Sequence, residues 1–481
     1  MTASTTAQTP AQQSDAVPRR AWAVLAVVLV AEVMDLVDGT VVNVAGPAVR
    51  REIGGSTAFL QWLGAGYTLA FAVLLITGGR LGDIFGRRRM FLVGIGGFTA
   101  ASLACALAQS PDMLIATRVL QGGFGAMLLP QGFGLLKEAF PARHLGKAFA
   151  AFGPVMGLSA VAGPILGGAL VDADLFGTGW RLIFLMNVPL GLVGIAAGGW
   201  ILPRPAARDD RRLDLGAVAV VSASAAALIY PLIQGRELGW PLWSFFLMAA
   251  GVAGFGLLAV VERRSAMPLI EPGLLRNRAF TSGIAVSLAF FAAMMGLMLV
   301  LSLFCQLGLG FSPLKTGLAM APLPLGIVFT APASFALVPR FGRKVIQAGL
   351  VAELAGLGLL GAITAHTGAG TTTWDLAPGM FVAGLGMGLV LAPLFDLILG
   401  GVADEEIGSG TGLLNALEQL AGAIGLAVIG TVFFAFTDHG TSSPDAFSHT
   451  ALIALAPVVV ALALSFALPR RAAAEREEGA V

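Results

Sequence analysis

The chain is poor in charge. Of its 481 residues only 12% are Asp, Glu, Lys or Arg, about half the share in an ordinary soluble domain. Basic and acidic residues nearly cancel, 29 against 28, which leaves no case for a nucleic-acid partner. Cysteine is scarcer still. Cys105 and Cys305 both fall inside apolar runs, which argues against a disulfide framework or a thiolate metal site. Four histidines without an H-E-x-x-H pattern give no support for an intramembrane metalloprotease, and no metal is expected. Neither Lys137 nor Lys147 follows a G-x-x-x-x-G, so a Walker A nucleotide site is missing and an ATP-driven pump is excluded.

What fills the chain instead is apolar. Hydrophobic residues make up 57%, with 64 glycines besides. A soluble globule of this length could not hide so much apolar surface, which rules out a cytosolic enzyme, and the same figures rule out disorder for the bulk of the chain. A membrane helix needs about 20 mostly apolar residues. Fourteen such runs are readable: 21–44, 58–79, 90–109, 113–136, 148–170, 182–202, 214–234, 243–261, 280–303, 316–338, 345–364, 376–400, 411–436 and 450–468. Gly308, Gly310 and Pro313 place the loop in the uncharged stretch 279–314. Residues 1–18 are Ser/Thr/Gln/Ala-rich without an early basic cluster, so they predict a tail leading into the first span, not a cleaved signal.

An even number of spans puts both termini on one side. With that side inward, nearly all basic residues lie inside. Only Arg50, Arg51, Arg181, Arg236 and Lys315 lie outside, and Arg118 is intramembrane. This is the bias of the positive-inside rule. It predicts a protein of the cytoplasmic membrane with both termini cytoplasmic.

Charges inside spans are costly and mark functional sites. Span 1 carries Glu32, Asp35 and Asp38 at i, i+3 and i+6, on one side of a helix. That side should line a polar cavity, where crowded carboxylates can bind and release protons near neutral pH. Permanent ion pairing is the alternative reading of the same acids. Depth along the helix (about 1.5 Å per residue) places Asp38 and Arg118 at similar heights, so an ion pair is open to them; Arg118 could instead snorkel outward. Glu353 falls near the bilayer midplane of span 11, as a second proton site or an acid for a cationic substrate. Asp396, a turn from the inner end of its span, reads as solvated.

After span 2 the inner loop reads Gly79-Arg-Leu-Gly-Asp-Ile-Phe-Gly-Arg-Arg-Arg89. Its glycines permit a tight turn, and Asp83 can cap a helix or bridge to an arginine. Arg340-Phe-Gly-Arg-Lys344 echoes it after span 10, with Pro339 where Asp83 would stand. Such repetition is expected of secondary transporters, if spans 7 and 8 are an inserted pair.

From residue 20 to 468 these features resemble the major facilitator superfamily, and within it the fourteen-span drug:proton antiporters of the EmrB/QacA type. Leu36 to Pro47 is similar to that family's span-1 motif, with Asp38 in the acidic place. Gly79, Gly82, Asp83, Gly86, Arg87 and Arg88 match the superfamily's conformational-switch loop. Arg118 to Gly125 resembles the span-4 motif, whose arginine is tied to proton coupling. Gly153, Gly157, Gly163, Pro164, Gly167 and Gly168 look like the span-5 antiporter motif, thought in the family to limit leak. Trp180 to Gly191 resembles the span-6 signature, and Gly408 to Gly430 the span-13 segment, where Glu418 replaces the familiar arginine before Gln419.

The resemblance implies an all-α membrane protein of the major facilitator fold. Its 14 transmembrane helices would form two six-helix bundles (21–202 and 280–468) plus two linking helices with flanking loops (203–279). A disordered cytoplasmic tail (1–20) and a second tail (469–481) complete it. It implies proton-coupled efflux of hydrophobic compounds, cationic ones among them, by alternating access; a physiological metabolite or a non-transporting receptor are the alternatives. Proton coupling is assigned to Asp38, Asp35, Glu32 and Arg118. Glu353, Glu418, Gln121 and Asn43 are the cavity candidates. The expected partners are a small molecule, protons and the bilayer. No cofactor and no ATP are needed, no enzyme activity is expected, and the carrier should be a monomer.

Overall fold

A computed structural model describes residues 18–141, 144–203, 215–262, 271–403 and 406–470. The tails before residue 18 and after 470, and the basic residues Arg143, Arg204, Arg208, Arg211, Arg212, Arg263 and Arg264, lie outside the described residues. Described residues are helical nearly throughout, with no strand among them. In lipid every backbone N–H and C=O must be satisfied inside its own segment, and the helix does this.

The helices run α1 Arg19–Ile53, α2 Thr57–Phe85, α3 Arg87–Ala106, α4 Pro111–Ala139 and α5 Leu145–Ala173. After a short turn come α6 Leu182–Leu185, α7 Asn187–Ile201, α8 Leu215–Gln234 and α9 Leu242–Glu262. The remainder is α10 Pro272–Arg276, α11 Arg278–Leu303, α12 Pro313–Met320, α13 Pro322–Phe341, α14 Arg343–Thr367, α15 Thr373–Leu399, α16 Ile407–Asp438 and α17 Ser443–Ser465. Thirteen helical segments among the described residues are long and apolar enough to cross a membrane. The fourteenth expected span is α1. At 35 residues it is longer than the expected 21–44, but its three acids keep it out of that apolar set.

The outer surface is what lipid requires and water would penalise. Trp200 is 90% exposed, Phe246 74% and Leu242 76%. The molecule is a multi-pass membrane protein.

Packing repeats along the chain. Helix α4 packs against α2 and α3, as α15 packs against α13 and α14. Helix α7 lies on α3 and α1, as α17 lies on α14 and α11; α5 runs along α1, as α16 runs along α11. The two sets meet through equivalent pairs, α5 with α12 and α16 with α2. Helices α8 and α9 pair with each other, and α8 rests on α2 and α16.

The expected loop Gly79–Arg89 is corrected by the structure. Helix α2 continues through Gly79, Gly82 and Asp83 to Phe85, and the whole reversal into α3 falls on Gly86, at φ 92°. Gly342 does the same between α13 and α14, at φ 54°. Only glycine adopts such a φ without steric cost. Gly86→Ala is expected to destabilise the protein by about 1–2 kcal/mol, read as a lower melting temperature in detergent. Gly256→Ala, in α9 with open space beside it, serves as the control and should leave the melt unchanged or slightly raised.

Candidate functional site

Helix α1 delivers its acids to α4 at three heights. At the first, Asp38 and Arg118 form an ion pair with both side chains 1% exposed. Every oxygen of Asp38 is engaged: Oδ2 takes the guanidinium, while Oδ1 accepts from Gln121 Nε2 at 2.9 Å and Asn187 Nδ2 at 2.8 Å. Arg118 also donates from Nε to the Leu63 carbonyl at 3.2 Å and from Nη1 to Gln121 Oε1 at 2.8 Å. Its guanidinium lies 4.2 Å from the centre of the Tyr67 ring. A buried charge survives only when paired and hydrogen-bonded in this way. Arg118 therefore points inward to Asp38, with no snorkelling.

At the second height Asp35 accepts a hydrogen bond from the Tyr67 hydroxyl. Asp35 is half-buried, and Gly39, one turn along the same side of α1, has open space beside it. At the third, Glu32 is buried and faces Gly132. The span-4 sequence makes these approaches possible. A Cβ on Gly122 would stand 2.3 Å from the Tyr67 carbonyl, and one on Gly125 would stand 2.7 Å from Asp35 Oδ1. Arg118, Gln121, Gly122 and Gly125 thus form one helical face, polar where it meets Asp38 and bare where α1 and α2 press in.

The switch-loop residues gather at the far end of α2. Asp83 pairs with Arg87 at 3.5 Å, and Arg87 with Glu138 of α4 at 3.6 Å. Gly82 leaves room for Gln131, whose Nε2 donates to the Gly78 carbonyl at 2.7 Å. Arg88 donates to the Gly199 carbonyl near the end of α7. In the echo, Arg343 Nη1 donates to the carbonyls of Phe466 and Leu468, 2.7 and 2.8 Å away, at the end of α17. Both halves therefore place an arginine on the negative end of their last helix.

The span-5 glycines use two faces. Gly163 and Gly167 press on Thr40 and Val41 of α1, whereas Gly168 meets the backbone of Pro313 and Leu314 in α12. Gly317 of α12 meets the Pro164 carbonyl in return, and Gly157 lies near Val328 of α13. Gly153 lies within α5.

Close contact between the halves continues at the end where α1 stops and α2 starts. Gln61 Nε2 donates to the Ala427 carbonyl at 2.9 Å, and Ser302 Oγ to the Asn43 carbonyl at 2.7 Å. Gln306 Nε2 donates to the Val44 carbonyl at 2.8 Å. Arg236, in the α8–α9 turn, pairs with Asp438 and donates to Thr57. Beside it Glu237 accepts from the Ala58 N–H at 2.9 Å. Burial pushes the Glu237 carboxyl up, but hydrogen bonds from Ala58, Ser56 and Thr57, with Arg236 alongside, outweigh that and hold it below the usual carboxylate range.

The four cavity candidates are not together. Gln121 belongs to the Asp38–Arg118 network. Asn43 is half-buried where α1 meets α11. Glu353 is 0% exposed, its backbone against Gly386 of α15, and neither carboxylate oxygen has a partner among the described residues. Glu418 is buried in α16. Asp396 is exposed. No cluster of three His, Cys, Asp or Glu that could hold a metal occurs among the described residues.

Sequence reasoning missed Tyr67, Asn187 and Ser102, whose Oγ links Asn187 to the Phe184 carbonyl. A signal existed: Asn187 is a lone amide inside an apolar run, and Tyr67 is one of only 2 tyrosines.

Residues 28–426 match the family profile of the Major Facilitator Superfamily. A probable actinorhodin transporter of Streptomyces coelicolor is 49% identical over 432 residues, covering 89% of this chain and 75% of that one. The puromycin resistance protein of Streptomyces alboniger is 37% identical, covering 94% and 91%. The multidrug resistance protein Stp of Mycobacterium tuberculosis is 31% identical, covering 84% and 74%. A solved POT family transporter in complex with 5-aminolevulinic acid superposes with a TM-score of 0.66 at 14% identity, covering 92% and 96%. That likeness concerns the fold alone.

Proposed function

The chain belongs to the Major Facilitator Superfamily, and we propose that it is a fourteen-span proton antiporter that exports hydrophobic antibiotics or drugs from the cytoplasm. The observation that carries this reading is the buried, fully hydrogen-bonded Asp38–Arg118 pair. A carboxylate at membrane depth, held only by an arginine and two amides, changes its attachments when the charge of a neighbouring acid changes. Each proton moving down 100 mV supplies about 2.3 kcal/mol, enough to drive a useful gradient without ATP.

The basic residues put the α1–α2 turn outside. The halves are then in contact at the outer face, through Gly168, Gly317, Gln61 and Arg236, as the inward-facing state of such a carrier requires. Two six-helix bundles rock about the α1 acids, with α8 and α9 as the linking pair. Relatives named for actinorhodin, puromycin and multidrug resistance support an antibiotic cargo.

The test is efflux from proteoliposomes under an imposed pH gradient, with ethidium and puromycin as probes. The wild type should move both, and Asp38→Asn should reduce gradient-driven flux to the level of empty liposomes. Asp38→Asn export equal to wild type would sink the coupling assignment. The 49% identity to a probable actinorhodin transporter favours a second reading, export of one secondary metabolite, whose sign is saturable flux of a single compound such as actinorhodin with neither probe moved.

A further inference from the structure

The site holds two acids in opposite situations. Asp38 is enclosed and saturated with donors. Asp35 is half-open, on the side of α1 where Gly39 has free space, and its described hydrogen bond comes from a single neutral donor, the Tyr67 hydroxyl. Asp35 is therefore the more accessible of the two acids, and Asp38 the enclosed one. Tyr67 in turn touches both halves of the network. Its hydroxyl is on Asp35 while its ring faces the Arg118 guanidinium at 4.2 Å. One turn earlier on α2, the Leu63 carbonyl takes Arg118 Nε at 3.2 Å. The segment Leu63–Tyr67 therefore grips the arginine from one side while Asp38 holds it from the other.

We propose that Asp35 takes the transported proton and that Tyr67 is the positioning residue that passes the event to Arg118. This rests on the proton-coupled reading above. One proton moves from cavity water to a carboxylate oxygen of Asp35, and no other bond is made. The Tyr67 hydroxyl then faces a neutral acid, its bond weakens, and the ring is released from its fixed place beside the guanidinium. The net charge of Asp35, Asp38 and Arg118 goes from −1 to zero, which lowers the uncompensated charge at membrane depth. The groups that face Asp35 are Tyr67 from α2, Arg118 from α4, and Glu32 and Asp38 on α1 itself. The other helices packed on α1 carry charge only near their ends: Lys147 and Asp172 on α5, Arg278 on α11 and Lys315 on α12, with none on α6 or α7; Arg181 lies in the turn before α6.

The experiment uses the full chain in nanodiscs without substrate. Spin labels are placed at Asp112→Cys and Trp374→Cys, exposed first-turn positions of α4 and α15 at the closed end; Cys105 and Cys305 are buried and stay in place. The inter-label distance is followed from pH 5 to 9. The wild-type distance should lengthen as pH falls. Because the hydroxyl favours the charged carboxylate, Tyr67→Phe should move the midpoint to higher pH, by about one to two units for a lost charge-assisted bond. Asp35→Asn should flatten the titration. A Tyr67→Phe midpoint equal to the wild type's overturns the proposal even if the amplitude drops, as a merely structural tyrosine would do. An unaltered titration in Asp35→Asn overturns it too. Normal titrations together with liposomes that move neither probe support this assignment and remove the drug-export reading, leaving export of a single metabolite.

Discussion

Arg118→Ala is expected to be among the most damaging single substitutions in the molecule. It leaves Asp38 buried with its two amide donors and without its cation, and breaking one partner of a buried pair costs about 3–5 kcal/mol. The Tyr67 ring and the Leu63 carbonyl lose their contact as well. Protein recovered from membranes should fall, the melting temperature in detergent should drop, and gradient-driven efflux should vanish. The double variant Asp38→Asn/Arg118→Gln separates folding from coupling. With both charges gone and amides able to pair, its melt should recover most of the loss while efflux stays absent. Recovery of efflux in that variant would mean that the ion pair is scaffolding only.

The second large effect is steric. A Cβ on Gly168 would stand 2.3 Å from the Pro313 carbonyl oxygen and 2.6 Å from Leu314 Cα, and one on Gly317 would stand 2.3 Å from the Pro164 carbonyl oxygen. These are backbone atoms and cannot turn aside as a side chain can, so either substitution must push α5 and α12 apart. Gly168→Val and Gly317→Val should hold the outer end open, lengthen the distance between labels at 112 and 374 at every pH, and cut efflux at least tenfold. Gly146→Ala, in the same α5 with nothing near its Cβ position, should transport normally. A Gly168→Val protein that closes at high pH like the wild type would mean that this contact does not hold the end shut.

Much of this was readable before any coordinates, and the limits have physical causes. Depth along a helix follows from counting residues, so Asp38 and Arg118 could be named as partners, and they are paired. Azimuth does not follow from counting. Glu353 is at the expected depth in α14 but is enclosed with its backbone against α15, because nothing in an apolar span records which side faces the cavity. Loop lengths failed for a related reason. Gly79 to Phe85 carries charge and glycine, the usual signs of a loop, yet Arg87 pairs with Asp83 and Glu138 there, Gln131 donates to the Gly78 carbonyl, and the helix runs on. Tyr67 and Asn187 stand out in sequence only as rare polar residues in apolar runs, and only the fold brings them to the acids.

The single-residue joints at Gly86 and Gly342 leave no slack. One residue reaches at most about 3.6 Å, so a tilt of α2 is handed to α3 almost in full, and likewise from α13 to α14. Each half is geared: the two helices joined at this corner cannot absorb a displacement by paying out chain. Cargo of differing size must then be accommodated by side-chain rotation within the cavity and by how far the halves swing, since the helices of a half have no freedom to splay apart at these corners.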